Sequence, residues 1–243
     1  MIIGLMGLAG TGKSTAGKIL QEKYDFTPIA FAGSLKDAVS VVFGWPRNLL
    51  EGNTNESRIF RETQDEYWSE AFGKSITPRY ILQYAGTEVF RNWLGDIWIR
   101  SVGKKMQDNS KSFVITDMRF YNEINFIKQM NGFIVEIRKS YQPTWVDDAT
   151  KWLGDNNETD IDGVSLGFEQ WANHNLTVHR SEWEAIHYRA NHSVDYVLYN
   201  DYEIGSQASM NDFAASIFHM MRVFTGPRDV GPEKNVSLDT VMQ

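Results

Sequence analysis

Apolar residues arrive along this chain in two rhythms, and their alternation sketches a fold before any motif is considered. Met1 to Met6 is a near-continuous apolar run, the pattern of a strand buried on both faces. The spacing then turns helical, and Lys13 to about Lys23 places Ala16, Ile19 and Leu20 on one face. A short strand, Pro28–Phe31, follows. Gly33-Ser34 offers a turn and an N-cap for a helix from Leu35 onward, with Leu35, Ala38, Val39 and Val42 as its apolar stripe. Residues 44–78 are polar, with turn formers (Trp45-Pro46, Gly52-Asn53) and scattered aromatics, and read as an excursion packed on the main domain. From Arg79 to about Trp93 two faces separate. Leu82, Ala85, Val89 and Trp93 are expected to be buried, while Arg79, Gln83, Thr87 and Arg91 form an inclined polar ridge. A helix from about Ile97 to Met106 comes next.

The second half repeats the alternation. Phe113–Asp117 reads as a strand ending in a carboxylate, and about Tyr121 to Met130 as a helix closed by Asn131-Gly132. Phe133–Ile137 is the next strand, so the three form a right-handed parallel crossover. Residues 140–192, rich in Trp, Asp, Asn and His, make a second excursion. Val194–Tyr199 returns to the sheet, and a helix from about Met210 to Phe224 ends before Gly226-Pro227. Residues 227–243 lack an apolar pattern and read as a loosely ordered tail. The expected architecture is a single α/β domain over residues 1–226, a parallel sheet flanked by helices with two helical excursions.

The turn after the first strand changes this picture from architecture to chemistry. Gly7 to Thr15 reads GLAGTGKST, a full match to the phosphate-cradling loop G-x-x-x-x-G-K-[ST]. Its glycines let the backbone turn N–H groups inward, and the positive end of the following helix points at the same spot. Ala9, Gly10, Thr11, Gly12, Lys13, Ser14 and Thr15 are therefore the ATP-binding candidates. Lys13 is placed on the β- and γ-phosphates and the Ser14 hydroxyl on Mg²⁺. The expected fold is thus a P-loop NTPase-type sheet.

Composition narrows the partners. The chain has 243 residues, with 31 acidic against 24 basic and a net charge of -7, which argues against a nucleic-acid partner. It has no cysteine, so disulfides, thiolate zinc sites and cysteine nucleophiles are excluded. No apolar stretch reaches the length of a membrane span, and the N-terminal apolar residues belong to the first strand, so a cytoplasmic protein is expected.

The loop is shared by kinases, GTPases and motor ATPases. A GTPase base-reading Asn/Thr-Lys-x-Asp motif is absent, and the strand ending Thr116-Asp117-Met118 carries one acid only. A small-molecule kinase needs cations for an acceptor anion and a cover that excludes water. Lys36, Arg79, Arg91 and Arg119 supply the first, and the two excursions the second. Asp117, at a strand end, borders the crevice where ligands sit in parallel sheets, and is a candidate for Mg²⁺ or acceptor contact. Gln83 suits a base edge or sugar hydroxyl, Thr87 shares its ridge, and Trp98 offers a stacking face. A kinase for another small acceptor, such as dephospho-coenzyme A or a nucleoside, and a non-catalytic nucleotide-binding module are the alternatives.

Three segments read together sharpen this. Phe31-Ala32-Gly33-Ser34-Leu35-Lys36-Asp37-Ala38, Arg79 to Glu88 (RYILQYAGTE) and Asp117 to Glu123 (DMRFYNE) resemble the conserved blocks of the phage deoxynucleoside monophosphate kinases. Trp98 and the His-x-x-Glu element from His179 to Glu182 resemble further family features, and order and rough spacing hold to about Asp201. The resemblance implies transfer of the ATP γ-phosphate to a deoxynucleoside monophosphate, a homodimer, and residence in host cytoplasm. Lys13, Arg79, Arg91, Asp117 and Arg119 are the catalytic candidates for such a transfer. Lys36, Gln83, Thr87, Trp98 and Glu123 would join the acceptor site, with His179, Arg180 and Glu182 in the lid.

Overall fold

The computed structural model describes residues 1–107, 110–156, 166–201 and 206–226. The expected tail, 227–243, lies outside the described residues. Five strands form one fully parallel sheet: β1 (Ile2–Met6), β2 (Phe26–Ile29), β3 (Ser112–Ile115), β4 (Phe133–Arg138) and β5 (Tyr196–Tyr199), in the order β2-β3-β1-β4-β5. The register sets Ile3 against Val114 on one side and Phe133 on the other. The apolar run of β1 is explained by this central position: Ile3 and Leu5 are fully buried.

Side-chain alternation along β1 decides what covers each face. Ile3 and Leu5 join Val114, Val135, Ile137 and Leu198 beneath α1 (Lys13–Tyr24) and the C-terminal helix (Gln207–Thr225). Ala16 and Leu20 come from α1, and Phe213, Ile217, Met220 and Phe224 from the C-terminal helix. Gly4 faces the other way, where Met118 and Ile127 close so tightly that a Cβ would sit 2.8 Å from the Met118 sulfur. Burying one such aliphatic side chain contributes about 1.5–3 kcal/mol, so this core is the dominant stabilising term.

The chain divides into two compact units. One comprises Met1–Ile29 with the residues from Met106 onward, and the other Ala30–Lys105. The expected 44–78 excursion lies within the second, which is wholly helical. It contains α2 (Gly33–Phe43), a 3₁₀ turn (Arg47–Leu50), α3 (Asn55–Glu62), α4 (Glu66–Phe72), α5 (Pro78–Gln83), a π turn (Tyr84–Val89), α6 (Phe90–Trp93) and α7 (Ile97–Lys105). Three of its helix starts are capped as their sequences demand. Thr54 forms a capping box with Ser57, Asp65 accepts from the Trp68 N–H, and Thr77 accepts from the Tyr80 N–H just before Pro78.

Several expectations for local structure are corrected by the fold. The second strand is Phe26–Ile29, two residues earlier than Pro28–Phe31, because its pairing with β3 brings Ile29 opposite Ile115. Helix α2 begins at Gly33 behind Ala32, and Ser34 is not its cap: the Ser34 hydroxyl meets that of Ser101 at 2.7 Å. Of the expected stripe only Leu35 and Val39 are buried, whereas Val42 is 66% exposed. The Arg79–Trp93 helix is broken by the π turn, whose wider winding shifts the register of the residues beyond it. Leu82, before the turn, is buried as expected and Gly86 within it is buried too, while Val89 and Trp93 are exposed.

In the first unit, α8 (Tyr121–Gln129) ends before a left-handed Asn131 (φ 53°), as the Asn131-Gly132 pair foretold. The second excursion contributes α9 (Thr144–Asn156), α10 (Leu166–Asn175) and α11 (Arg180–Asn191). Val146, Ala149, Leu153, Phe168, Ala172, Trp183 and Ile186 build a separate apolar core there, flanked by Trp145, Trp152 and Trp171. Leu8 of the phosphate loop packs against this cluster, so these helices are anchored to the loop itself. The C-terminal helix is α12. Among the described residues, no helix is long and apolar enough to cross a membrane.

Candidate active site

The phosphate loop has the backbone its glycines permit. Gly7, Gly10 and Gly12 take φ of 139°, 79° and 101°, values that L side chains rarely adopt. At Gly7 space adds a second demand, since a Cβ would meet the Ile137 carbonyl oxygen at 2.3 Å. The loop is held from outside by Asn200, buried at the end of β5, whose amide donates to the Thr11 carbonyl at 2.8 Å. Gly12 stands as N-cap of α1 with no side-chain cap and no acid in the first turn. The positive end of that helix is therefore offered to an anion.

Lys13 is folded back on the loop. Its ammonium donates to the Gly7 and Leu8 carbonyls at 2.6 and 2.7 Å. Burial pushes its pKa down to about 7, the Arg119 guanidinium adds to the drop, and Glu182 and Asp117 oppose it. These four charged side chains thus share one neighbourhood. Arg119 Nη1 donates to Glu182 Oε1 at 2.5 Å, and the Ala9 N–H donates to Glu182 Oε2 at 3.2 Å. Burial alone raises the Glu182 carboxyl, but Arg119 and the Ala9 amide outweigh it and hold the group below the ordinary glutamate range.

Beside the loop lies a cavity of about 350 Å³ at the carboxyl ends of β1 and β4. Gly7–Thr11, Ile137, Gln142, Pro143 and Ile186 are among its walls. Glu136, only 3% exposed, lies in the same wall and is paired with both Arg138 (2.5 Å) and Arg189 (3.2 Å). Arg189 also donates to Gln142 at 3.2 Å.

The sequence-derived candidates fall into distinct groups. Ser14 is exposed and Thr15 half-buried at the head of α1, Asp117 is half-buried just past β3, and Arg119 adjoins the loop through Glu182. Glu123 lies at the base of the turn that carries Arg119. It is 2% exposed, and its carboxylate accepts from the Arg119 and Phe120 N–H groups at 2.8 and 3.1 Å. It shapes the turn that presents Arg119. His179 accepts the Glu182 N–H at its carbonyl, at the opening of α11. Arg180 is paired with Glu169 and Glu184.

In the second unit, Lys36 meets Glu51 at 2.6 Å, and Arg47 bridges Glu51 and Asp37. Arg79 pairs with Glu62, both well exposed. An exposed pair of this kind is worth at most about 1 kcal/mol, too little to withhold Arg79 from a phosphate. Gln83 closes α5, Thr87 falls within the π turn, and Arg91 reaches the Gly95 carbonyl at 3.5 Å. Trp98 is buried at 6% exposure, packs edge-on to Phe90 and donates to the Gly86 carbonyl at 3.0 Å.

Sequence reasoning missed Asn200, Glu136, Arg138, Arg47 and Glu184. A polar residue directly following an apolar parallel strand was the available signal for Asn200. Arg47, Arg138 and Glu184 each have a local partner (Glu51, Glu136 and Arg180), while the pairing of Glu136 with Arg189 and of Glu184 with the Tyr121 N–H joins distant segments.

No family model matches the chain. A protein of Acanthamoeba polyphaga mimivirus named "Putative deoxynucleotide monophosphate kinase" is 34% identical over 152 residues, 56% of this chain and 73% of the viral protein. Among solved structures, shikimate kinase from Bacteroides thetaiotaomicron superposes with a TM-score of 0.40 at 15% identity, covering 92% of this chain and 98% of its own. Dephospho-CoA kinase from Campylobacter jejuni gives a TM-score of 0.42 at 10% identity, covering 92% and 96%. Likenesses as loose as these two carry nothing about substrate. The viral relative is different in kind, because its identity is high and most of its length is matched. Taken with an assembled triphosphate loop at the head of a parallel sheet, it establishes that this chain is a P-loop kinase belonging to the deoxynucleotide monophosphate kinase family.

Proposed function

We propose that this kinase, of the phage type within its family, transfers the γ-phosphoryl group of ATP to a deoxynucleoside monophosphate. The bond from γ-phosphorus to the β-bridging oxygen breaks, a bond to an acceptor phosphate oxygen forms, and ADP and the deoxynucleoside diphosphate leave. The observation that carries the reading is the match to 73% of the viral protein under its printed name. The three resembling sequence blocks support it.

Phosphoryl transfer of this kind asks the protein chiefly for positioning and charge neutralisation. Lys13 moves from the Gly7 and Leu8 carbonyls to the β- and γ-phosphates, and the loop N–H groups and the α1 terminus take the remaining oxygens. The cavity beside the loop gives the nucleoside end of ATP room. Ser14 and Asp117 offer a hydroxyl and a carboxylate, the hard oxygen donors that Mg²⁺ takes, and they would hold it. When bound, Mg²⁺ neutralises charge on the donor phosphates. Lys36, Arg79 and Arg91 bind the acceptor phosphate, Arg through two-pronged contacts and Lys as a point charge, while Gln83 and Thr87 contact its nucleoside. No general base is assigned, because a monophosphate is already anionic at neutral pH. The active species is proposed to be a homodimer, a state that light scattering would measure.

Coupled ADP release across the eight common nucleoside monophosphates, with unphosphorylated nucleosides and dephospho-coenzyme A alongside, tests the reading. Turnover is expected with one or more deoxynucleoside monophosphates, and with neither the unphosphorylated nucleosides nor dephospho-coenzyme A. ATP binding with no acceptor-dependent ADP release, or turnover confined to the other acceptors, defeats it.

A further inference from the structure

Glu182 carries the wrong charge for its place. A loop that receives triphosphate should repel carboxylates, yet Glu182 Oε2 accepts from the loop's Ala9 N–H at 3.2 Å. Its other oxygen takes Arg119 Nη1 at 2.5 Å, with side-chain exposures of 28% for Arg119 and 19% for Glu182. The carboxylate thus bridges a backbone N–H and a guanidinium across 173 and 63 residues of sequence, as two oxygens of a phosphoryl group would.

The contact is supported from behind. Glu182 lies in the first turn of α11, and Glu184, two residues on, accepts from the Tyr121 N–H at 3.1 Å and from Arg180 Nε at 2.9 Å. Trp183 and Ile186 of the same helix are buried in the apolar core against which Leu8 packs. Helix α11 is therefore locked to both the 119–121 turn and the loop while Glu182 holds its place. The pair is partly buried, so it is not one of the loose surface bridges of negligible worth.

We propose that Glu182 is a built-in stand-in for nucleotide phosphate, occupying the Ala9 amide and Arg119 in the nucleotide-free chain and displaced when the triphosphate arrives. The proposal rests on the P-loop kinase reading for the identity of the arriving anion. Glu182 acts through Arg119 and the loop and is a positioning residue. It keeps Arg119 extended toward the phosphate site rather than toward solvent. The same contact weakens nucleotide affinity, because two anions cannot share one donor set, and it ties release of α11 to occupation of the loop.

The test separates this role from that of a structural clamp. Full-length parent, Glu182→Gln, Glu182→Ala and Glu184→Gln are titrated calorimetrically with Mg-ADP and Mg-ATP without acceptor, and their melting temperatures recorded. Glu182→Gln removes the competing charge at nearly constant shape, so nucleotide is expected to bind more tightly by about tenfold or more, on the scale of one charge-assisted hydrogen bond. In turnover its ATP KM is expected to fall. Glu184→Gln is expected to lower the melting temperature without tightening binding. Equal or weaker nucleotide binding by a folded Glu182→Gln overturns the proposal. Hydrogen exchange on the parent is independent of any variant: peptides covering 178–186 are expected to lose protection with Mg-ADP bound, and unchanged or greater protection overturns it too. A parent that binds neither nucleotide defeats the kinase reading and takes this proposal with it.

Discussion

Nucleotide binding should draw a proton onto Lys13, and the amount can be worked out. The ammonium is buried against two backbone carbonyls, and burial together with Arg119 brings its pKa from 10.5 down to about 7. The unfolded chain keeps the higher value and so binds more protons between those limits. Stability contributed at this residue therefore falls as pH drops from about 10.5 to about 7 and is constant below, a penalty on the order of 5 kcal/mol. Phosphate oxygens reverse the balance by favouring the charged form. At pH 8 the free lysine is only about one-tenth protonated, so binding should take up about 0.9 proton, against about 0.5 at pH 7 and about 0.1 at pH 6. Calorimetry with Mg-ADP in buffers of differing ionisation enthalpy reads this number directly. Affinity should weaken by up to about tenfold per pH unit above pH 7. The reasoning is refuted if uptake at pH 8 is near zero, or if Lys13→Met, assayed at concentrations that saturate it, shows the same uptake as the parent.

Single contacts carry the other expectations. Gly7→Ala forces a Cβ to within 2.3 Å of the Ile137 carbonyl at a strained φ, so it should destabilise by about 2–4 kcal/mol in denaturant titration and abolish ATP binding. Asn200→Ala frees the buried Thr11 carbonyl, with an expected loss of about 1–3 kcal/mol and a higher ATP KM. Trp98→Phe removes the donor to Gly86 and should lower the melting temperature while leaving acceptor KM unchanged; a large rise in acceptor KM would support a base-stacking role for this side chain. Arg79→Ala and Arg91→Ala should raise acceptor KM about tenfold or more with ATP KM unaltered, as expected for a lost charge-assisted contact. Intact acceptor kinetics in both would misplace the acceptor pocket.

How much of this was legible in the residue string depends on how far apart the cooperating residues lie. The phosphate loop, the α1 boundary and the left-handed turn at Asn131 are local, governed by spacing and glycine or asparagine chemistry within a few residues. The parallel sheet could be anticipated because strands buried on both faces write themselves as unbroken apolar runs. Burial of the helix stripes could not. Val42 and Trp93 obey helical spacing, yet Val42 stays exposed, and the π turn after Gln83 rotates Trp93 outward.

The charged residues show the same division. Residue type and motif were enough to nominate Lys13, Asp117 and Arg119, because phosphate chemistry demands cations and hard oxygen donors near a glycine-rich loop. Whether a nominated charge points at that loop, or is spent on a partner elsewhere, is settled by contacts between distant segments. Glu182 came back across 173 residues to the Ala9 amide, and Arg180 reached Glu169 on another helix. The string alone determined where the phosphate-cradling loop lies, since a nine-residue motif carries its own instructions. Only the folded chain decided which carboxylate meets that loop, Glu182 at the Ala9 N–H, since pairing over such a distance arises from packing and not from spacing.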